Sequence, residues 1–378
     1  MKVVAILLSL LTSILLIASF ACAPQPTALQ KSSAIKEEKA KDVTEKITQK
    51  DEWVKTLLPD EGEVVAFGES GRVVISGSGT ILQSLDGGQS WQPLISGDGD
   101  YFYTKDGGKT YLADDSNPAS RIIKVKDLCS VESSVIIASR RLYLTTVCEH
   151  TEQVWSVPIE TRSGLWHIRN FTYKNDPENG AYGPRSNIVN AGGRILVDAV
   201  LPEGPALMTT NDEGATWRPF WHDKHSEALI VALDFINGQQ GWMLKADGIL
   251  LSTIDGGHTW KMVSTLPSEA AGHLFSMDFI DITTGFLVGE KGLILATNDG
   301  GHNWKQQASN TKQSLYKVAA ADGQQAWAVG ERGTVIETKD GGAHWRRVEL
   351  NLDKNIDNLA VKDKVAWIVV DNYVYRSL

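Results

Sequence analysis

The sequence predicts an all-β fold: a seven-bladed β-propeller, built from repeated four-stranded sheets and preceded by a signal peptide and a flexible tether. Three observations predict it. One turn is written six times, an aromatic marker keeps step with that turn, and a segment near the N-terminus supplies the strand that the last repeat lacks.

The turn is clearest at "TNDGGHNW" (297–304). It recurs at "TIDGGHTW" (253–260), "TKDGGAHW" (338–345) and "SLDGGQSW" (84–91), and with one change each at "TNDEGATW" (210–217) and "TKDGGKTY" (104–111). Asp212, Asp255, Asp299 and Asp340 lie 43, 44 and 41 residues apart, a spacing of propeller blades rather than of helical solenoids. The marker residues Trp242, Phe286 and Trp327 each precede the next Asp by 13 residues. Between marker and turn stand "KADGILLST", "EKGLILAT" and "ERGTVIET", each a glycine turn followed by an alternating apolar strand. Each unit therefore reads strand, strand, glycine turn, strand, Asp turn and Trp-led strand.

The N-terminus is an export signal rather than part of the fold. Lys2 supplies the positive start, Val3 to Ile17 an apolar stretch too short to span a membrane, and "SFAC" (19–22) small residues before a cysteine. Two cuts fit this pattern. Ordinary signal peptidase would release a soluble exported protein, whereas lipoprotein processing would leave Cys22 as a lipidated N-terminus; the site resembles a lipobox, although Ser19 and Phe20 depart from the usual pattern. The domains expected are thus a signal peptide over 1–21, a lipidated N-terminus and linker over 22–50, and the propeller over 51–378. The linker lacks aromatics and is rich in Lys, Glu, Ser and Thr, so it cannot bury enough apolar surface to form a core. As a flexible tether it would span roughly 30 Å; a short exposed helix is the alternative reading of its charged part.

Blades are expected at 61–95, 121–158, 163–220, 228–262, 273–306 and 315–348, with a split blade made from 355–378 and 52–58. Trp367 continues the marker 40 residues after Trp327, so the next Asp turn would fall beyond Leu378. "DEWVKTLL" (51–58) then supplies the fourth strand and closes the ring. Segments 96–120 and 169–186 read as insertions, and six or eight blades are the alternative counts because 96–220 is irregular. Cys129 and Cys148 flank strand-like runs in an exported chain; they pair as a disulfide or remain buried thiols.

In the repeated turn the Asp carboxylate accepts backbone N–H groups, Ser or Thr closes the turn with its hydroxyl, and Gly permits a left-handed backbone. Asp86, Asp106, Asp212, Asp255, Asp299 and Asp340 are therefore structural, because six acids spread around a ring cannot converge on one substrate. These turns resemble the Asp-box, or bacterial neuraminidase repeat, of sialidases and sortilin-type receptors. The longer pattern "GFLVGEKGLILATNDGGHNW" and "AWAVGERGTVIETKDGGAHW" is most similar to the photosystem II stability and assembly factor family. That resemblance implies a seven-bladed propeller and a non-enzymatic factor that holds a membrane-protein precursor. It is best over 228–348 and weak over 96–220.

The other class weighed is a sialidase-like glycoside hydrolase or glycan-binding propeller. Such an enzyme needs an arginine cluster, a Tyr nucleophile paired with Glu, and an Asp acid at the centre. No Arg-Ile-Pro motif occurs, and the nearest sequence, "GRIL" with Arg194, reads as a strand start. His258, His302 and His344 stand one per repeat, too dispersed for a metal site, and nothing indicates a cofactor. A net charge of −9 argues against nucleic acid. A protein partner and a membrane reached through the lipid anchor are expected instead, in a periplasm, a thylakoid lumen or at a cell surface. Strand alternation puts the contacts on the face opposite the Asp turns. Trp221, His225, Tyr182, Arg185, Lys291 and Arg332 are the candidate anchors there.

Overall fold

A computed structural model describes residues 44–46, 53–59, 62–67, 72–77, 80–95, 101–103, 110–113, 123–124, 130–137, 141–148, 151–158, 165–172, 187–224 and 226–378. The segment read as an export signal, Cys22, Asp106, Cys129, Tyr182, Arg185 and His225 lie outside the described residues; Cys148 ends the strand Arg141–Cys148.

The described chain is a propeller of antiparallel sheets. In chain order they cover 64–95, 101–172, 188–222, 230–265, 274–306 and 315–347, followed by a closing sheet. Strands Val64–Phe67, Ser130–Ile137, Ile188–Ala191, Ile230–Phe235, Leu274–Phe279, Leu315–Ala320 and Leu359–Lys362 touch one another in that order around a ring. Five of the sheets have four strands in simple meander order. The closing sheet is built from both ends of the propeller: Trp53–Leu57 pairs with Tyr373–Ser377, with Trp53 opposite Ser377. Thr44–Lys46 adds a fifth strand beside it, drawn from the stretch read as tether, so the compact unit begins at Thr44 rather than at 51.

The expectation of seven like blades needs correction: six sheets have the blade form, and the sheet over 101–172 does not. It has seven strands. Tyr101–Tyr103, Thr110–Ala113 and Ile123–Lys124, read as insertion and as the start of a blade, pair with one another at one side of it. Leu165–Thr172, read as the start of the third blade, joins them to the meander of Ser130–Ile137, Arg141–Cys148 and Thr151–Pro158. The physical cause is strand length. These four run eight residues each, against four to six in most of the regular blades, and no Asp turn ends them; they therefore keep pairing instead of closing a four-stranded unit. The third blade consequently starts at Ile188.

Between sheets the core is aromatic. Trp242 stacks on Phe279 of the next sheet, with ring centroids 3.9 Å apart and planes 2° from parallel. Phe286 meets Trp345 edge-on at 5.9 Å, and Trp367 meets Phe67 at the same distance. The marker residues thus sit where one blade packs on the next. Trp327 is fully buried, and replacing such a side chain by Ala costs about 3–5 kcal/mol.

Candidate functional site

The Asp turns repeat one hydrogen-bond pattern. In the turn at 253–260, the Thr253 hydroxyl donates to the Asp255 carboxylate at 2.8 Å and accepts the Gly257 N–H at 2.9 Å. The same carboxylate accepts the Thr259 N–H at 2.9 Å and the Thr259 hydroxyl at 2.6 Å. Asp86, Asp212, Asp299 and Asp340 are held likewise by Ser90, Thr216, Asn303 and His344. The donor four residues after the Asp is Ser, Thr, Asn or His, according to the turn. These bonds favour the charged carboxylate: the Thr259 hydroxyl and amide hold Asp255 down at about 2, and the Asn303 side chain and amide do the same for Asp299. For Asp340, lowered to about 2, the His344 amide and ring are the leading causes. A carboxylate so engaged is a poor proton donor or nucleophile near neutral pH.

The turns also join blades. The carbonyl at the fourth turn position accepts a hydrogen bond from the preceding sheet in each described turn. Arg376 donates to Gly87 O at 2.8 Å, Ser156 to Glu213 O, Arg194 to Gly256 O at 3.2 Å, Trp242 to Gly300 O at 3.1 Å and Gln307 to Gly341 O at 3.3 Å. Arg194, the residue nearest to a sialidase-type arginine, is therefore part of an inter-blade contact, with its guanidinium over the Phe220 ring. The fifth position is Gly in each described turn because its backbone there is left-handed, and in most of them the neighbouring sheet also occupies the space of a side chain. A Cβ at Gly88 would lie 2.3 Å from Trp367, and one at Gly301 2.4 Å from Leu250. The turns lie at the same strand ends as the first hairpin of each blade: Gly256, Gly300 and Gly341 donate to Gln239, Thr283 and Gln324.

At the opposite strand ends are the turns Glu290–Gly292 and Glu331–Gly333, which hold Lys291 and Arg332 exposed with left-handed backbone, φ 53° and 52°. Glu290 meets His273 at 3.1 Å, and Arg332 lies 3.8 Å from Glu331. The other candidates there divide. Trp221 is not an exposed link residue. It pairs with Leu207 within the outer strand Arg218–His222 and packs half-buried against Trp260, because the strand runs further than its sequence suggests. Lys245, beside the glycine turn of "KADG", is buried and bonded to Asp223 at 2.6 Å.

Sequence reading missed the acids of the inner strands. Asp234 and Asp278 sit on Ile230–Phe235 and Leu274–Phe279, and burial pushes both carboxyls above the usual range. The repeated "DF" (234–235 and 278–279) was the available signal. Among the described residues no group of three or more His, Cys, Asp or Glu could hold a metal ion, and no helix is long and apolar enough to cross a membrane.

Residues 264–364 match the family model described as photosynthesis system II assembly factor YCF48. No curated protein matches the chain. Among solved structures, the chain is similar to YCF48 bound to D1 peptide, with TM-score 0.57 and 15% identity over 87% of this chain and 98% of that one. It is similar also to YCF48 from Cyanidioschyzon merolae, with TM-score 0.57 and 14% identity over 86% and 98%. The GH74 xyloglucanase from Xanthomonas campestris aligns with TM-score 0.56 and 14% identity over 85% of this chain and 52% of that one. At these identities the structures share a fold with the chain. The family match is confined to residues 264–364, and the solved structures add the β-propeller fold.

Proposed function

We propose that the chain is an exported, lipid-anchored and non-enzymatic scaffold that holds a segment of a protein partner on the face opposite its Asp turns. The partner class is a membrane-protein complex or its precursor, as the resemblance to the assembly factors implies. One observation carries this reading: every described Asp-turn carboxylate is committed to its own turn, and the turn carbonyls are committed to the neighbouring blade. The box face is thus occupied with holding the ring together, whereas Lys291 and Arg332 stand exposed at the other end. Loops on a rigid scaffold carry recognition more readily than the scaffold itself. Tyr182, Arg185 and His225 belong to the same proposed surface. A solved relative in fold, YCF48, has been captured with a D1 peptide. Attachment would run through lipidated Cys22 and a tether to a membrane facing the periplasm or thylakoid lumen, or to a cell surface.

The test combines two variants of the full chain. Cys22→Ser should move the folded protein from the membrane to the soluble fraction; retention would remove the lipid anchor from the reading. Lys291→Glu with Arg332→Glu should reduce recovery of native membrane partners at unchanged melting temperature. Undiminished recovery would place the interface elsewhere, and release of sugar from sialosides or glucans by the purified chain would replace the scaffold with an enzyme.

A further inference from the structure

The first hairpin of a blade has to reverse the chain within a few residues, and a short acceptor side chain at its corner does so by taking the backbone amides that follow it. Three successive sheets use this device in the same place. In the sixth, the Asp322 carboxylate accepts the Gln324 and Gln325 N–H groups, each at 2.9 Å. In the fifth, Asp281 accepts those of Thr283 and Thr284, each at 2.7 Å. The fourth has Asn237 instead. Its Oδ1 accepts the Gln239 and Gln240 N–H groups at 2.8 and 2.9 Å, and its Nδ2 donates to Gln240 Oε1 at 2.9 Å. The hairpins of the fourth and sixth sheets read "NGQQ" (237–240) and "DGQQ" (322–325), so they differ only in that an amide stands in one where a carboxylate stands in the other.

We propose that Asn237 is a site of spontaneous deamidation in the folded chain, and that its aspartate product is the hairpin which residues 322–325 already form. The residue after Asn237 is Gly238, which has no side chain to shield the Asn237 amide carbon and whose N–H donates no hydrogen bond among the described residues. Solvent base removes the Gly238 amide proton, and that nitrogen forms a bond to Asn237 Cγ. The Cγ–Nδ2 bond then breaks, and Nδ2 leaves as ammonia with a proton returned from water. Charge builds on Oδ1 while the nitrogen adds. The Gln239 and Gln240 amides already point at this oxygen and stabilise that charge, as fixed donors do at an oxyanion. Water opens the resulting cyclic imide at one of its two carbonyls. Breaking the bond from Gly238 N to Cγ gives aspartate, and breaking the bond from Gly238 N to the main-chain carbonyl carbon gives isoaspartate. Asn237 and Gln239 are exposed, so base and water reach the site.

The surrounding ring separates the two products. Aspartate keeps the main chain as it is and offers the Gln239 and Gln240 amides a charged acceptor, which strengthens both bonds at the loss of the one to Gln240 Oε1. Isoaspartate adds a methylene to the main chain, and the hairpin has no slack for it. Gly238 is packed on Gly192 of the third sheet so closely that a Cβ at Gly192 would lie 2.4 Å from Gly238 Cα. Gln239 O is tied to the Gly256 N–H of the Asp turn at 2.9 Å. Conversion to aspartate therefore adds one negative charge where the third and fourth sheets meet and leaves the course of the chain unchanged. The other Asn-Gly pair of the sequence, Asn179–Gly180, lies outside the described residues.

Peptide mapping by mass spectrometry tests this on the purified full chain, incubated in mildly alkaline buffer well below its melting temperature. The peptide containing Asn237 should gain the mass of an amide-to-acid change progressively, and faster as pH rises. Aspartate should be the main product in the folded chain, whereas the same peptide excised and incubated alone should give more isoaspartate. Asn237→Gln has one more methylene, disfavours the ring closure and should remove the mass gain at that peptide. Asn237→Asp supplies the product directly and should melt at the wild-type temperature. An Asn237 that stays intact in the folded chain while the excised peptide converts would overturn the site. Isoaspartate as the main product of the folded chain, or a lowered melting temperature for Asn237→Asp, would overturn the match to the hairpin at 322–325.

Discussion

Arg141 and Glu213 form an ion pair at 2.8 Å between two sheets, although 72 residues separate them in the chain. The pair explains the one described turn that departs from Asp-Gly-Gly. Glu213 has a left-handed backbone, φ 59°, where the other described turns have Gly. It is tolerated because its side chain reaches the otherwise buried guanidinium, which also bonds the Ser156 hydroxyl at 2.8 Å and the Ser156 carbonyl at 3.1 Å. Arg141→Ala should therefore destabilise the protein by about 1–3 kcal/mol, since buried polar groups of Ser156 lose their donor. Glu213→Gly relieves the backbone strain while losing a largely exposed carboxylate, and should stay within about 1 kcal/mol of wild type. Denaturant midpoints of the two variants check the contrast.

The two glycines of one turn should respond differently to the same substitution. A Cβ at Gly87 meets nothing within 4 Å, whereas one at Gly88 would overlap the Trp367 ring. Both have positive φ, 69° and 83°, so both incur a left-handed penalty of about 1–2 kcal/mol as Ala. Gly88→Ala should lose a further ~1–3 kcal/mol as the closing sheet is pushed from the first. Melting temperatures compared side by side measure the difference, and equal losses would mean that the first sheet does not rest on Trp367.

Much of this architecture was readable because a turn is a local problem. Ser or Thr, Asp and Gly solve it within five residues, so the solution repeats visibly at each of the described turns. The marker aromatics were readable for a related reason: Trp242, Phe286 and Trp367 fill the same slot between sheets. The donors to the turn carbonyls were not. Arg376, Ser156, Arg194, Trp242 and Gln307 come from different strands and share neither chemistry nor spacing, since any donor that reaches will serve. The sheet over 101–172 escaped for the opposite reason. Its strands alternate as blades do, and only their length and the lack of a terminating Asp turn direct them into one wide sheet. Of the proposed partner surface, the turns at Lys291 and Arg332 followed from strand alternation, but the burial of Lys245 and Trp221 depended on contacts with the neighbouring link and outer strand.

Asp223 and Lys245 supply a test of how the link between the third and fourth sheets is held. Their 2.6 Å bond is buried at both ends, and the Asp223 amide donates to Pro205 O at 2.9 Å. Asp223→Ala strands an ammonium in the interior and should cost about 3–5 kcal/mol. The double variant Asp223→Leu with Lys245→Met removes both charges and should recover most of that loss. If the single and double variants unfold at the same denaturant concentration, the ammonium reaches water and the pair is not a closed one.

The Asp turns predict a loss of stability in acid. Asp255, Asp299 and Asp340 are held at about 2 in the folded state, below the ordinary carboxylate value of about 3.9. Their contribution to stability is therefore complete above that ordinary value and is lost as pH falls towards about 2. Asp299→Ala should lower the melting temperature at neutral pH, because the Asn303 amide and side chain lose their acceptor. It should also flatten the fall in melting temperature below about pH 4, since one fewer depressed carboxylate remains to be protonated. Partner recovery by the folded variant should match wild type, because the carboxylate is committed to its own turn. Full stability with lost recovery would instead mean that the box face, rather than the turns around Lys291 and Arg332, meets the partner.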